Sequence, residues 1–306
     1  MSEIRVGVSA AEEMLRGPLD VRRERFGRLE AAGIDHVFVP DHVSFHTGIG
    51  MDGLIQAATA AALSERLEVH IGVYLLALRH PVPVARQIAS VCESAPGRLV
   101  LGVGVGGEDR HEFEVCGVDP ATRGRRTDES LEALRGLLGG APTSFAGDFF
   151  EFEEALIVPA PDPAVPILVG GRAPAALTRT ARFADGWLGI WSTADRYART
   201  IESVEAQAVA AGRSEVEWQH GLQLWVGIDE DVDRGRAHLA RRMEGFYRVP
   251  YERFERYSPV GSPAAIAEYL RPYAEAGCRI FNVMAVSPST DAAIDGVAEV
   301  RRVLRA

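Results

Sequence analysis

Lysine is absent from this chain of 306 residues, in which all 33 basic side chains are arginine. Schiff-base aldolase, pyridoxal-phosphate and Walker-type phosphate-loop chemistries each require a lysine amine and are excluded. Cysteine is scarce: Cys92, Cys116 and Cys278 lie far apart with no C-x-x-C, which argues against a disulfide scaffold or a cysteine zinc site. No apolar run approaches the roughly 18 residues of a membrane span, and the start, MSEIRVGVSAAEE, has no basic region followed by a hydrophobic stretch. A cytoplasmic protein with no membrane partner is therefore expected. The eight histidines form no H-x-H or H-E-x-x-H, although His42 and His46 are spaced i, i+4, so no metal site is expected. Nor is there a G-x-S-x-G nucleophile elbow. A net charge of −10 disfavours a nucleic-acid partner, because such affinity comes from basic side chains neutralising phosphates.

What is present is an ordinary globular balance, 47% hydrophobic and 25% charged, arranged in a regular rhythm. Eight short β-rich runs fall at 4–9, 36–40, 67–74, 98–105, 166–170, 186–190, 222–228 and 279–286. Several are near-continuous apolar stretches, as in strands covered on both faces. Amphipathic segments lie between them, such as VRRERFGRLEAAG, which places Val21, Phe26 and Leu29 on one face and stops at Gly33. Gly277 closes SPAAIAEYLRPYAEAG in the same way. Eight alternations favour a single-domain (β/α)8 TIM barrel over residues 1–306. Two stretches break the pattern: a hairpin at about 143–158, turning at Ala146-Gly147-Asp148, and a helical insertion at about 229–260. An insertion after a barrel strand sits on the C-terminal face, where active sites form.

Three strand ends carry candidate chemistry. The second runs into Pro40-Asp41-His42, where a carboxylate beside an imidazole can set its tautomer for proton transfer; the blander reading has Asp41 capping the next segment. The fourth runs into Gly102-Val103-Gly104-Val105-Gly106-Gly107-Glu108, a literal G-x-G-x-x-G. A dinucleotide fold places that motif early, with an acid ending the next strand, and here the correctly spaced Asp128 sits in a helical run. Gly104, Gly106 and Gly107 instead suit close backbone approach to a ligand, with Glu108 as a polar contact, or simply a tight turn. The fifth strand ends in Gly170-Gly171-Arg172 and leads directly into a helix, where backbone amides, helix dipole and guanidinium together suit a phosphate.

At these positions the sequence resembles the luciferase-like monooxygenase superfamily, and within it the deazaflavin (F420)-dependent branch. The resemblance is carried by VFVPDHV, HIGVYLLALRHPVPVARQIAS, GRLVLGVGVGGEDRHEFEVCGV, VPILVGGRAPAALTRTARFADGWL and VGSPAAIAEYLRPYAEAGCRIFNV, in common order along nearly the whole chain. It implies a barrel mouth holding a tricyclic ring edge-on, with the phosphate tail running to the loops after the fifth and sixth strands, bordered by Ile190, Trp191 and Ser192. It further implies a non-prolyl cis peptide in a bulge at Gly72-Val73-Tyr74, backing the ring. His42 would lie near the reactive edge with Asp41 beside it. Related sugar-phosphate dehydrogenases carry a tryptophan near position 46 and a glutamate directly after the glycine run, whereas this chain has His46 and then Gly107 before Glu108. A sugar phosphate is accordingly not the expected substrate.

The expected function is hydride transfer between F420 and a small organic substrate, with His42 as proton donor or acceptor. Substrate identity would reside in the insertion at 229–260 and the loop at 43–53. Two alternatives stand beside it: an FMN-dependent monooxygenase on the same barrel, and a protein that binds a flavin or deazaflavin without turnover. The resemblance also implies a homodimer.

Overall fold

A computed structural model of the chain describes residues 3–10, 14–46, 48, 52–107 and 109–306. In chain order the strands are β1 (Arg5–Ser9), β2 (His36–Val39), β3 (Glu68–Tyr74), β4 (Leu99–Val103), β5 (Thr143–Ala146), β6 (Glu151–Ala155), β7 (Ile167–Gly170), β8 (Gly186–Ile190), β9 (Gly221–Ile228), β10 (Val260–Gly261) and β11 (Ile280–Val286). Eight of them pair in parallel in the order β1-β2-β3-β4-β7-β8-β9-β11, and β11 returns to β1. The sheet is a closed (β/α)8 barrel. All eight expected strands are present, and β5 and β6 form the expected antiparallel hairpin.

The helices are α1 (Leu19–Ala31), α2 (Gly53–Leu63), α3 (Pro81–Ser94), α4 (Arg110–Val115), α5 (Arg123–Leu137), α6 (Pro174–Phe183), α7 (Ala194–Ala210), α8 (Val232–Tyr247), α9 (Pro263–Glu275) and α10 (Thr290–Leu304). Phe26 and Leu29 of α1 are buried, and the chain leaves that helix through Gly33 at φ 76°. A left-handed residue of this kind ends a helix without a Cβ clash. Asp128 lies inside α5 and pairs with Arg179 (Nε–Oδ1 2.6 Å), which rules out the dinucleotide reading of the glycine run.

Along each strand successive side chains face opposite ways. Val6, Val8, Val37, Val39, Val69 and Ile71 belong to the large core shared with the helices. Val100, Leu168, Leu188 and Ile280 form a separate cluster inside the ring, with Val73 packed on it. The interior also holds buried His36, His70 and Asn282. Among the described residues no helix is long and apolar enough to cross a membrane.

The expected insertion follows β9, the seventh barrel strand. It consists of α8, two short 3-10 turns at Tyr251–Arg253 and Glu255–Tyr257, and β10. β10 returns alongside the end of β9, with Val260 opposite Gly227 and Gly261 opposite Ile228.

Candidate active site

The loop after β2 delivers His42 to the C-terminal mouth. Its Nδ1 lies 3.2 Å from Oε2 of Glu112, on α4. The other carboxylate oxygen of Glu112 accepts from the backbone N–H of Val43 (2.6 Å) and Ser44 (3.2 Å). Burial alone would raise this carboxyl, but the hydrogen bond from His42 and the two backbone donors outweigh it and hold Glu112 below the usual carboxylate range. Glu112 therefore fixes both the loop and the tautomer: Nδ1–H donates to the carboxylate, leaving Nε2 as the free ring atom.

Asp41 does not perform that role. Consecutive residues leaving a strand turn to opposite sides, and Asp41 turns outward. Its carboxylate receives both guanidinium nitrogens of Arg79 (2.7 and 2.9 Å) and the backbone N–H of Leu75 and Gly53 (2.8 Å each). Asp41 thus ties the ends of β2 and β3 to the start of α2, close to the capping alternative, and leaves His42 to Glu112. Glu108 lies outside the described residues, as do Thr47, Ile49, Gly50 and Met51 of the loop at 43–53.

The bulge is where it was expected. The Gly72–Val73 peptide is cis, and the β3–β4 register shifts between Ile71 and Tyr74. Val73 points into the ring, and glycine surrounds it: a Cβ on Gly104 would stand 2.4 Å from Val73 Cγ2, and one on Gly170 3.2 Å from Cγ1. Gly106 (φ 64°) and Gly107 (φ 127°) continue the wall in conformations that disfavour other residues, and a Cβ on Gly106 would lie 2.7 Å from the Phe113 ring. These glycines make room for the Val73 and Phe113 side chains. Tyr74 is corrected as a ligand contact: it has no exposed surface, sits in the core and lies under the Arg79 guanidinium at 4.3 Å. It faces the helix layer, one residue past the inward Val73.

Three strands round the ring from β2, the turn after β7 carries Gly171 at φ 125° and then Arg172, which is exposed and has no carboxylate partner among the described residues. α6 begins immediately behind it and α7 begins after β8, and neither N-terminus has a side-chain cap. In α6 Pro174 has no N–H and Ala176 N–H bonds the Ala173 carbonyl, so the guanidinium and the two helix dipoles are what suit an anion here. The indole of Trp187 fixes this turn by donating to the Gly171 carbonyl at 2.7 Å. Ile190 ends β8 partly exposed; Trp191 follows at φ 47°, its ring 5.6 Å from the Arg172 guanidinium carbon, and its buried Nε1 has no partner. Ser192 is buried, and its carbonyl accepts from Tyr273.

The remaining wall is aromatic. Phe45 stacks on His42 at 4.1 Å and reaches Phe246 of α8 at 6.1 Å. Phe246 abuts Tyr247 at 4.8 Å, and Tyr247 packs against Trp191 at 5.2 Å. Trp225, from inside β9, donates its indole N–H to the Tyr247 hydroxyl at 3.0 Å. A continuous aromatic arc thus joins the histidine to the anion seat. Glu112, Phe45, Phe246 and Trp225 were missed by sequence reading. Glu112 lies 70 positions from the residue it serves, and no local spacing announces such a pair.

Comparison with known proteins decides the family. Residues 2–253 match the model for luciferase-like monooxygenases. The chain belongs to that family. An uncharacterised protein from Mycobacterium tuberculosis is 35% identical over 245 residues, covering 72% of this chain and 83% of that protein. An F420-dependent glucose-6-phosphate dehydrogenase of Beutenbergia cavernae is 32% identical over 223 residues, 71% of this chain and 66% of that protein. The solved structure of an F420-dependent secondary alcohol dehydrogenase with an F420-acetone adduct superimposes with a TM-score of 0.86 at 22% identity, covering both chains completely. That likeness shows the shared fold, a (β/α)8 barrel.

Proposed function

We propose that this chain transfers a hydride between F420 and a small uncharged organic substrate. That it is an oxidoreductase follows from its family; the cofactor and reaction are the reading developed here. One observation carries it: the Arg172 seat, flanked by two uncapped helix N-termini, lies three strands from a histidine whose tautomer is fixed by Glu112. The first suits the phosphate of a cofactor tail and the second suits proton transfer beside a redox ring. Gly104 and Gly170 leave room for Val73, so the bulge at the end of β3 can back a flat ring.

When bound, F420 supplies a two-electron hydride carrier. Oxidising an alcohol removes a hydride from carbon and a proton from oxygen. His42 Nε2 takes that proton, and Glu112 stabilises the resulting imidazolium; in the reducing direction the same nitrogen returns it. The aromatic wall of Phe45, Phe246 and Trp225 excludes water and favours an uncharged substrate over a sugar phosphate, consistent with His46 at the position where sugar-phosphate dehydrogenases have tryptophan.

The test is titration of the purified protein with F420 and with FMN, following tryptophan fluorescence, then turnover on a panel of alcohols, aldehydes and enones followed by F420 absorbance. Preferential F420 binding with turnover that is lost in His42→Ala is expected. Preferential FMN binding would favour the monooxygenase reading. Binding without turnover across the panel would favour the non-catalytic one.

A further inference from the structure

Gln223 lies on β9, one inward position below Trp225, and is partly exposed at the floor of the mouth. Its side chain crosses the ring: a Cβ on Gly72, on the opposite strand β3, would stand 2.6 Å from its Oε1. The same oxygen accepts from Asn282 Nδ2 at 3.3 Å, and Asn282 Oδ1 meets buried His36 Nε2 at 2.8 Å. His36 in turn stacks on His70 at 3.9 Å, and His70 Nε2 bonds Glu68, which Arg5 grips with two contacts. A polar column therefore fills the barrel axis and ends, at the mouth, in one amide.

The column has a direction. Burial, and the neighbouring His70, hold His36 well below its ordinary pKa, so it is neutral and carries one ring proton. Its Nδ1 is buried without a partner. An unpaired buried lone pair is tolerated better than an unpaired buried N–H, which places the proton on Nε2. His36 then donates to Asn282, Asn282 donates to Gln223, and the Gln223 amide is left with its NH2 group facing outward. No described residue accepts from that nitrogen, and it is not among the buried unpaired atoms. The deepest accessible polar atom of the mouth is thus a preset donor.

We propose that Gln223 is a binding residue whose Nε2 donates to a carbonyl oxygen on the ring of the redox cofactor. This rests on the function proposed above. The ring is chosen over the substrate because the floor is reached by whatever enters furthest, and the aromatic wall and His42 stand above it. The ring is chosen over the tail because the anion seat lies outside, after β7. A planar dione edge that reaches the barrel axis would meet this donor.

The experiment is F420 titration without substrate for wild type, Gln223→Leu and Gln223→Glu, with FMN titrated in parallel. Thermal melts of the unliganded proteins report folding, and the isosteric Gln223→Met replaces leucine if that variant does not fold. The expected result is a roughly tenfold rise in F420 Kd for the leucine variant, about 1.4 kcal/mol. A larger rise is expected for glutamate, whose carboxylate would face the carbonyl. The absorption band of bound F420 should move back toward that of the free cofactor. An F420 Kd within about twofold of wild type in a folded leucine or methionine variant overturns the inference, as does a change confined to substrate KM. Wild-type protein that binds neither F420 nor FMN removes the functional reading itself, a separate result from a tight wild type and an equally tight variant.

Discussion

At the residue scale the proposed activity rests on the imidazole of His42 and the Glu112 carboxylate bonded to it. His42→Ala is expected to lower kcat by about 10²–10⁴, the range for a lost general acid or base, while F420 Kd measured by fluorescence changes little. Glu112→Gln keeps the shape but weakens the hold on the tautomer, so a smaller loss of kcat is expected, together with a changed pH-rate profile. An unchanged profile would count against the Glu112–His42 assignment. Arg172→Ala should weaken F420 by a factor consistent with losing a charge-assisted hydrogen bond, about 1.5–3 kcal/mol, and should flatten the salt dependence of Kd. That His42 and Arg172 stand at the C-terminal ends of β2 and β7 was legible in the sequence because each follows a strand run closely. The partner of His42 was wrongly chosen. Adjacency in sequence suggested Asp41, but alternation at a strand end sends neighbours to opposite sides, and the true partner is contributed by α4.

At the scale of elements, Asp41 is an anchor between β2, β3 and α2. Asp41→Asn would leave the partly buried Arg79 with Asp52 as its remaining carboxylate and loosen two backbone N–H contacts. A destabilisation of about 1–3 kcal/mol is expected, typical of weakening the partners of buried donors, read as a fall in denaturant midpoint at constant m-value. A normally stable Asp41→Asn protein impaired only in kcat would return Asp41 to the catalytic group. The strands were readable almost to the residue, because runs such as HVFV and GWLGI are covered on both faces and leave no ambiguity of period. The insertion was readable only as helical and aromatic. Which of its rings meet the mouth depends on contacts such as Phe45–Phe246 and Trp191–Tyr247, which join distant segments and leave no periodic trace.

For the whole molecule, the polar barrel axis sets the response to acid. Burial lowers the pKa of both His36 and His70 in the folded state. The unfolded chain therefore takes up protons below about pH 6.5 that the folded protein refuses, and stability falls as pH drops through that region. Glu68 and Glu112 also have lowered folded values, so their stabilisation is present above the ordinary carboxylate pKa and is lost at still lower pH. Urea melts from pH 8 to 5 should show a plateau near neutrality, then a decline of up to about 1.4 kcal/mol per pH unit for each histidine. His36→Gln should make that decline shallower; a wild-type curve flat down to pH 5 would contradict the buried, neutral assignment.

The clasp formed by β10 has an evolutionary corollary. Gly227 N–H donates to the Pro259 carbonyl and Asp229 N–H to the Gly261 carbonyl, so the two ends of the insertion are stitched together by main chain alone. A segment pinched at its neck in this way can be replaced by another of different length and chemistry while the staves beneath keep their pairing. Transplanting residues 230–258 between relatives would exchange Phe246 and Tyr247, the rings that reach Phe45 and Trp191, while the barrel strands keep their pairing.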